Sequence, residues 1–275
     1  MTERRDTLAA LKDTLARMER GVAPSALPHF SLGLPAMDEV LGGGLGQASL
    51  HEVFAAGPVH GPAATGFSLA LASRACLFRT DTGPIVWVRQ RLLDSEFGLP
   101  HGHGMATLGL DPARVLLVRV RDAADGLKAA HDAVQCAAAG VVVAEIWGES
   151  KALDLTASRR LSMAAADSGV TVLMVRVSAE PAPSAAASRW EVRAAPSRPL
   201  EVGAPGPAAF SVTLLRHRAG LAPRRWRVEW DHDQCRFRDG SSLPRRLDAV
   251  PSGRTIAVLR RLEPTGEVVD FRRAG

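Results

Sequence analysis

The sequence predicts an α/β fold, with a mostly parallel twisted sheet flanked by helices and an antiparallel extension of strands on the C-terminal side. Two patterns carry this prediction. First, four unbroken apolar runs, Ile85-Val86-Trp87-Val88, Val115-Leu116-Leu117-Val118, Val141-Val142-Val143-Ala144 and Val170-Thr171-Val172-Leu173-Met174-Val175, alternate with helical stretches at 66–79, 122–138 and 154–167. A strand covered on both faces has no polar side to show, so it reads as a continuous apolar run, as in parallel sheets between helix layers. Second, beyond residue 188 the periodicity becomes two, in Trp190-Glu191-Val192-Arg193, Phe210-Ser211-Val212-Thr213-Leu214-Leu215-Arg216 and Trp226-Arg227-Val228-Glu229-Trp230. Such alternation belongs to antiparallel strands with one wet face, here extending one edge of the sheet.

The elements follow in order. Residues 1–21 read as a separate N-terminal amphipathic helix, because Leu8, Leu11, Leu15 and Met18 recur at helical spacing and Gly21 ends the pattern. That apolar stripe needs a cover, either the chain's own core or a partner chain, so these four residues are partner-binding candidates. Residues 22–29 are a linker, marked by Pro24, Ser25 and Pro28. The core spans 30–238 and opens on a short strand, Ser49-Leu50-His51-Glu52-Val53-Phe54, followed by a glycine-bearing loop and a helix from Gly66. Asp122 and Thr156 stand near two later helix starts as caps. Residues 239–275 carry much Pro, Gly and Arg and read as a basic, mobile tail with a candidate short strand at 255–259.

Charge is unevenly distributed. Residues 1–188 hold 17 Lys+Arg against 19 Asp+Glu, net −2, whereas residues 189–275 hold 17 against 10, net +7. The basic third reads either as a solvated surface or as a contact for nucleic acid or an acidic partner. There is no apolar run of about 18 residues that would span a membrane, and Met1-Thr2-Glu3-Arg4-Arg5-Asp6 leads into an amphipathic helix instead of an apolar leader. Cys76, Cys136 and Cys235 are scattered, as suits reduced thiols in a cytoplasmic protein.

The strongest motif is a phosphate-loop pattern without its lysine. Gly61-Pro62-Ala63-Ala64-Thr65-Gly66-Phe67-Ser68 matches the glycine spacing and the final hydroxyl, but Phe67 stands where an ammonium would neutralise phosphate charge. Strand, glycine segment and helix appear in the order that a nucleotide-binding loop requires, although an ordinary strand-to-helix turn with glycines gives the same pattern.

The parallel core with its antiparallel extension resembles the RecA-type ATPase core. Leu32-Gly33-Leu34-Pro35-Ala36-Met37-Asp38-Glu39-Val40-Leu41-Gly42-Gly43-Gly44-Leu45 is similar to the entry segment of that fold. Together with Leu50-His51-Glu52-Val53-Phe54-Ala55-Ala56, Leu108-Gly109-Leu110-Asp111-Pro112 and Leu153-Asp154-Leu155-Thr156-Ala157-Ser158-Arg159-Arg160-Leu161, it makes about residues 1–238 resemble the ImuA family, RecA-related and SulA-like proteins of bacterial mutasome cassettes. The resemblance implies a part in SOS-induced, error-prone translesion synthesis. The implied partners are an ImuB-like Y-family polymerase homologue, RecA and, indirectly, an error-prone C-family DNA polymerase. The implied place is the cytoplasm, with nucleoid association during DNA damage. It also lets the departures from an active ATPase be read residue by residue. Phe67 replaces the lysine, and its ring is expected against the sheet. Arg89-Gln90-Arg91 offers no carboxylate where the water-activating glutamate would stand, and Glu145 ends a strand at the place of the metal-holding aspartate. Glu145 reads either as a carboxylate meeting metal through water or as a strand-end residue held by neighbouring N–H groups. The degenerate loop, Gly61, Gly66, Phe67 and Ser68, with Glu145, implies no catalysis, no cofactor and an adaptor role. The rival readings are a DNA-stimulated ATPase with a non-standard loop and a SulA-like inhibitor of cell division.

Other constellations are weaker. Arg159 and Arg160 are either a solvated helix face or a DNA contact. Trp190, Trp226 and Trp230 interleave with Arg193, Arg225 and Arg227, either as a nucleic-acid platform or as tryptophans in the core with arginines in water. His101-Gly102-His103 lacks the acidic or thiol companions that a metal centre needs, and Asp231-His232-Asp233-Gln234-Cys235, though rich in ligand types, reads as a surface turn after a strand.

Overall fold

A computed structural model describes residues 28–79, 83–197 and 206–240. The helix 1–21 with Leu8, Leu11, Leu15 and Met18, the linker as far as residue 27, and the tail beyond 240 lie outside the described residues. No described helix is long and apolar enough to cross a membrane.

Two short strands, β1 (His29–Phe30) and β2 (Leu45–Gly46), pair antiparallel around a helical turn, α1 (Pro35–Asp38). Asp38 holds this entry segment together: its carboxylate accepts from Leu32 N at 2.8 Å and from Ser31 Oγ at 2.7 Å. Gly44 (φ +122°) lies where a Cβ would meet the Phe30 carbonyl oxygen at 2.1 Å, so the glycine run allows the two strands to cross closely.

The remaining strands form one sheet. In chain order they are β3 (Leu50–Ala55), β4 (Ile85–Gln90), β5 (Val115–Val120), β6 (Val141–Trp147), β7 (Thr171–Val177), β8 (Ser188–Ala194), β9 (Ala209–His217), β10 (Arg224–Asp231) and β11 (Arg236–Asp239). Across the sheet the order is β11-β10-β9-β8-β3-β7-β6-β4-β5. The strands from β5 to β8 are parallel, and β9, β10 and β11 are added antiparallel. The expectation for 190–193 therefore changes: this strand is antiparallel to β9 but parallel to β3 on its other side. The cause is the connection 178–187, which carries the chain from the end of β7 back across the sheet. Ser184 Oγ donates to Glu52 Oε2 at 2.7 Å, Arg189 Nε donates to the same oxygen at 3.0 Å, and Ala186 is buried.

Side chains alternate between two apolar layers. Val53, Trp87, Val143, Leu173 and Val175 face one layer, with α2 (Gly61–Leu77) upon it. Leu50, Val86, Val142, Val172 and Met174 face the other, covered by α5 (Ala123–Gln135) and α6 (Leu155–Ser168). Two short helices the sequence did not suggest, α3 (Arg91–Phe97) and α4 (Gly102–Thr107), follow β4. Asp122 caps α5 as expected, accepting from Asp125 N at 2.9 Å. The cap of α6 is Asp154, which accepts from Ala157 N at 2.7 Å, and Thr156 already lies inside the helix.

Candidate functional site

The site begins at the junction of β3 and α2. Gly57 (φ 151°, ψ 162°) lies in a region open essentially to glycine alone, and a short 3₁₀ turn, Pro58–His60, leads into the helix. The helix starts at Gly61, not at Gly66, so residues 61–66 are its first turns and do not wrap a phosphate. Pro62 explains the early start: its fixed φ suits a first helical turn, where its missing N–H is not needed, and Ala63 and Ala64 are the best helix formers.

The two glycines of the pattern do different work. A Cβ on Gly61 would stand 2.3 Å from the Phe97 ring, so this glycine makes room for α3. A Cβ on Gly66 would meet only the Phe210 ring, at 3.6 Å, an ordinary contact. Phe67 is fully buried, with ring centroids of Phe237, Phe210 and Trp190 at 5.2, 5.8 and 6.1 Å. It packs against the sheet beneath α2, on the antiparallel side. The Ser68 hydroxyl is buried and has no hydrogen-bond partner among the described residues.

On the other flank of α2 lies a polar network. Glu145 is fully buried and sits within β6, two residues before its end. Arg89 is its register partner on β4 and donates from Nη1 to Oε2 at 2.9 Å. Trp87 Nε1 donates to the same oxygen at 3.2 Å, and the Thr65 hydroxyl donates to Oε1. The carboxylate is thus held by side-chain donors, where neighbouring N–H groups had been one reading. Arg89 uses its other donors on Asp94 Oδ1 (2.9 Å) and the Leu93 and Gly98 carbonyls (2.9 and 3.2 Å), and Arg119 adds a second cation to Asp94 at 2.6 Å. Burial pushes the Glu145 carboxyl upward, opposed by the Arg89 guanidinium and the Thr65 and Trp87 donors. A cleft of about 340 Å³ lies over this network, walled by Leu69, Phe97, Leu99 and Met105.

The remaining predicted residues fall into two groups. Arg159 and Arg160 are exposed on α6. Arg193, Arg225 and Arg227 come together on one face of the antiparallel strands, where Arg193 and Arg227 both register with Ser211 and Arg225 donates to Thr213 Oγ1 at 3.1 Å. Trp190 and Trp230 point the other way and are buried, with Trp226 partly so. Arg193 pairs with Glu191 at 3.3 Å. Among the described residues no group of three or more His, Cys, Asp or Glu is placed to hold a metal ion. Sequence reading missed Thr65, Trp87 and Asp94. The available signal was Arg89, a charge at the end of an otherwise apolar strand, which demands a buried partner.

No family model matches the chain. Two sequences named Protein ImuA, from two strains of Caulobacter vibrioides, are each 32% identical to it over 230 residues, covering 80% of this chain and 83% of theirs. Identity at that level along most of both chains is a family relationship: this chain belongs to the ImuA family.

Proposed function

We propose that the chain is a non-catalytic adaptor in DNA-damage-induced, error-prone translesion synthesis, built on a RecA-like scaffold that does not turn over nucleotide. The observation that carries this reading is the enclosure of Glu145. An active site of this kind needs a carboxylate free to meet a metal ion, a cradle of backbone N–H groups and a lysine. Here the carboxylate is taken up by Arg89, Trp87 and Thr65, the cradle segment is helical, and the lysine position is an aromatic in the core. These residues do not fit magnesium and a triphosphate. The RecA-like part of the reading is supported by the parallel core with its antiparallel extension, and the mutagenesis part by the family.

In this role the chain presents RecA-like surfaces to an ImuB-like polymerase homologue and to RecA, with the C-family polymerase reached indirectly. Leu8, Leu11, Leu15 and Met18 are proposed as one contact, limiting RecA filament growth by offering only one side of a protomer interface. The experiment is a melting curve with and without ATP–magnesium. Ligand binding to the native state must raise the melting temperature, so the adaptor reading expects no shift. A concentration-dependent rise would favour an ATPase. A pull-down with residues 1–22 deleted tests the contact: RecA binding should drop, and unchanged binding removes the helix from the interface.

A further inference from the structure

The face of the sheet opposite α2 carries a furrow that the adaptor reading does not use. α5 and α6 each follow a strand of the parallel sheet, so they run side by side in the same direction. Between them lie two adjoining clefts, of about 290 Å³ and about 540 Å³, that share His131 and Arg160. Leu127, Lys128 and His131 of α5 face Arg160, Met163 and Asp167 of α6. The stripe on α5 runs from Ala124 to Gln135, which at helical rise is about 16 Å, or roughly three turns.

Two properties of this furrow bear on what it can hold. Met163 is 59% exposed, an adaptable apolar side chain left in water. Lys128 and Arg160 are exposed and have no ion-pair or hydrogen-bond partner among the described residues. By contrast Arg89, Arg119, Arg121, Arg189 and Arg193 are each paired with a carboxylate. The N-terminal ends of α5 and α6 lie at the same end of the furrow, where the capping carboxylates of Asp122 and Asp154 offset their positive potential, and Asp167 stands near the C-terminal end of α6. The furrow is therefore lined by apolar side chains, Leu127, Ala157, Met163 and Ala164 among them, with the two cations Lys128 and Arg160 along it.

We infer that this furrow docks an acidic amphipathic helix of a partner protein. The apolar stripe of that helix lies on Leu127 and Met163, and carboxylates about one turn apart meet Lys128 and Arg160. Helix-in-groove recognition of this kind reads apolar anchors at i, i+3, i+4 and i+7 and takes specificity from charge. A nucleic acid fits less well, because no Phe or Trp lines the clefts to stack on a base, the single ring there being His131, and Asp167 would repel phosphate.

The test uses the full chain and a fluorescein-labelled synthetic helix of about four turns, with Leu and Met on one stripe and Glu elsewhere. Anisotropy should show saturable binding in the tens of micromolar. The double variant Lys128→Glu, Arg160→Glu should weaken it by at least about tenfold with an unchanged melting temperature, since both side chains are exposed. Peptides with Lys in place of Glu, or Ser in place of the apolar stripe, should not bind. Absence of saturable binding to the wild-type chain, or a double variant within about twofold of it, overturns the proposal. So does single-stranded DNA that displaces the peptide and loses its own binding in the same variant, which would assign the furrow to nucleic acid. None of these results bears on the ATP–magnesium melting test, so the two readings fail separately.

Discussion

The two flanks of α2 rest on the same sheet and are built from opposite chemistry. Toward β8, β9 and β11 the helix presents Phe67 to an aromatic cluster of Trp190, Phe210 and Phe237. Toward β4 and β6 it presents Thr65 to Glu145, whose charge is balanced by Arg89. The aromatic flank removes large apolar area from water and gains edge-to-face contacts, so it is a source of stability. The polar flank gains little net energy, because desolvating a carboxylate and a guanidinium offsets most of their attraction. What it supplies is position: Arg89 reaches α3 through Leu93 and Asp94, and the following loop through Gly98, so one side chain fixes the segment after β4. Losing either flank harms the fold, but for different reasons, and substitutions separate them.

The largest effect is expected from Phe67→Lys. It places an ammonium among buried rings with no carboxylate beside it, and the cost exceeds the roughly 3–5 kcal/mol of a plain Phe-to-Ala truncation in a core. Urea denaturation should show a mostly unfolded chain, and ATP–magnesium should not rescue it. A folded variant stabilised by nucleotide would mean that position 67 faces a phosphate site after all.

Next is Arg89→Met, which keeps the volume but leaves Glu145 and Asp94 without this cation. A loss of about 3–5 kcal/mol is expected, as for breaking a buried pair. The added variant Glu145→Gln should recover part of the loss, since it removes the orphaned charge. A double variant no better than the single would show that the network is not electrostatically coupled.

The aromatic flank carries its own titration. His51 Nε2–H donates to the Gly46 carbonyl at 2.8 Å, and Nδ1 accepts from Ser188 Oγ at 2.7 Å, which in turn accepts from Trp190 Nε1. Burial lowers the His51 pKa from 6.5 to about 4, opposed by the Gly46 carbonyl. The unfolded chain protonates this ring near its ordinary value and the folded chain only near the lower one, so in that window the unfolded state holds more protons. Stability should therefore fall as pH drops from about 6.5 toward about 4, by on the order of 3 kcal/mol in all, and this contribution should not change further below that. His51→Gln should be less stable at neutral pH and show a flatter decline in urea midpoint. An identical slope would assign the acid sensitivity to other groups.

The smallest effect is the sharpest discriminator. Gly66→Ala should stabilise the chain by about 0.5–1 kcal/mol, because a helix-interior glycine is replaced where a Cβ has room. Gly61→Ala should destabilise, because its Cβ would collide with Phe97. Thermal melts of the pair test this directly. Loss of stability in Gly66→Ala would indicate that residue 66 does not sit in a plain helix turn.

Much of this architecture is legible in the residues. Three of the apolar runs became β4, β6 and β7, covered on both faces, whereas Val115–Val118 became β5 at the edge of the sheet, where Leu116 is 56% exposed. The alternating segments became β8, which is antiparallel on one side only, β9 and β10. The start of α2 was misplaced because glycine spacing suggested a loop, while Pro62-Ala63-Ala64 favoured a helical turn. The parallel pairing of β8 with β3 has no local signal, since it depends on the route of the connection 178–187 across the sheet. Within the site Phe67 and Glu145 stood out by position in a motif. Thr65 did not, because it fills a position that the motif leaves free, and Trp87 and Asp94 were marked only indirectly, through the need of Arg89 for a buried partner.

The chain by itself determined the layer order, the change from parallel to antiparallel strands and the absence of an ammonium at residue 67, since these follow from periodicity and from a side chain's chemical type. Only the folded arrangement decided that Glu145 meets Arg89 and Thr65, that Gly61 serves Phe97 rather than a phosphate, and that Lys128 and Arg160 share one furrow. Those contacts join residues distant in the chain, and a contact is fixed by which strands neighbour and which faces meet, quantities that no local stretch of residues encodes.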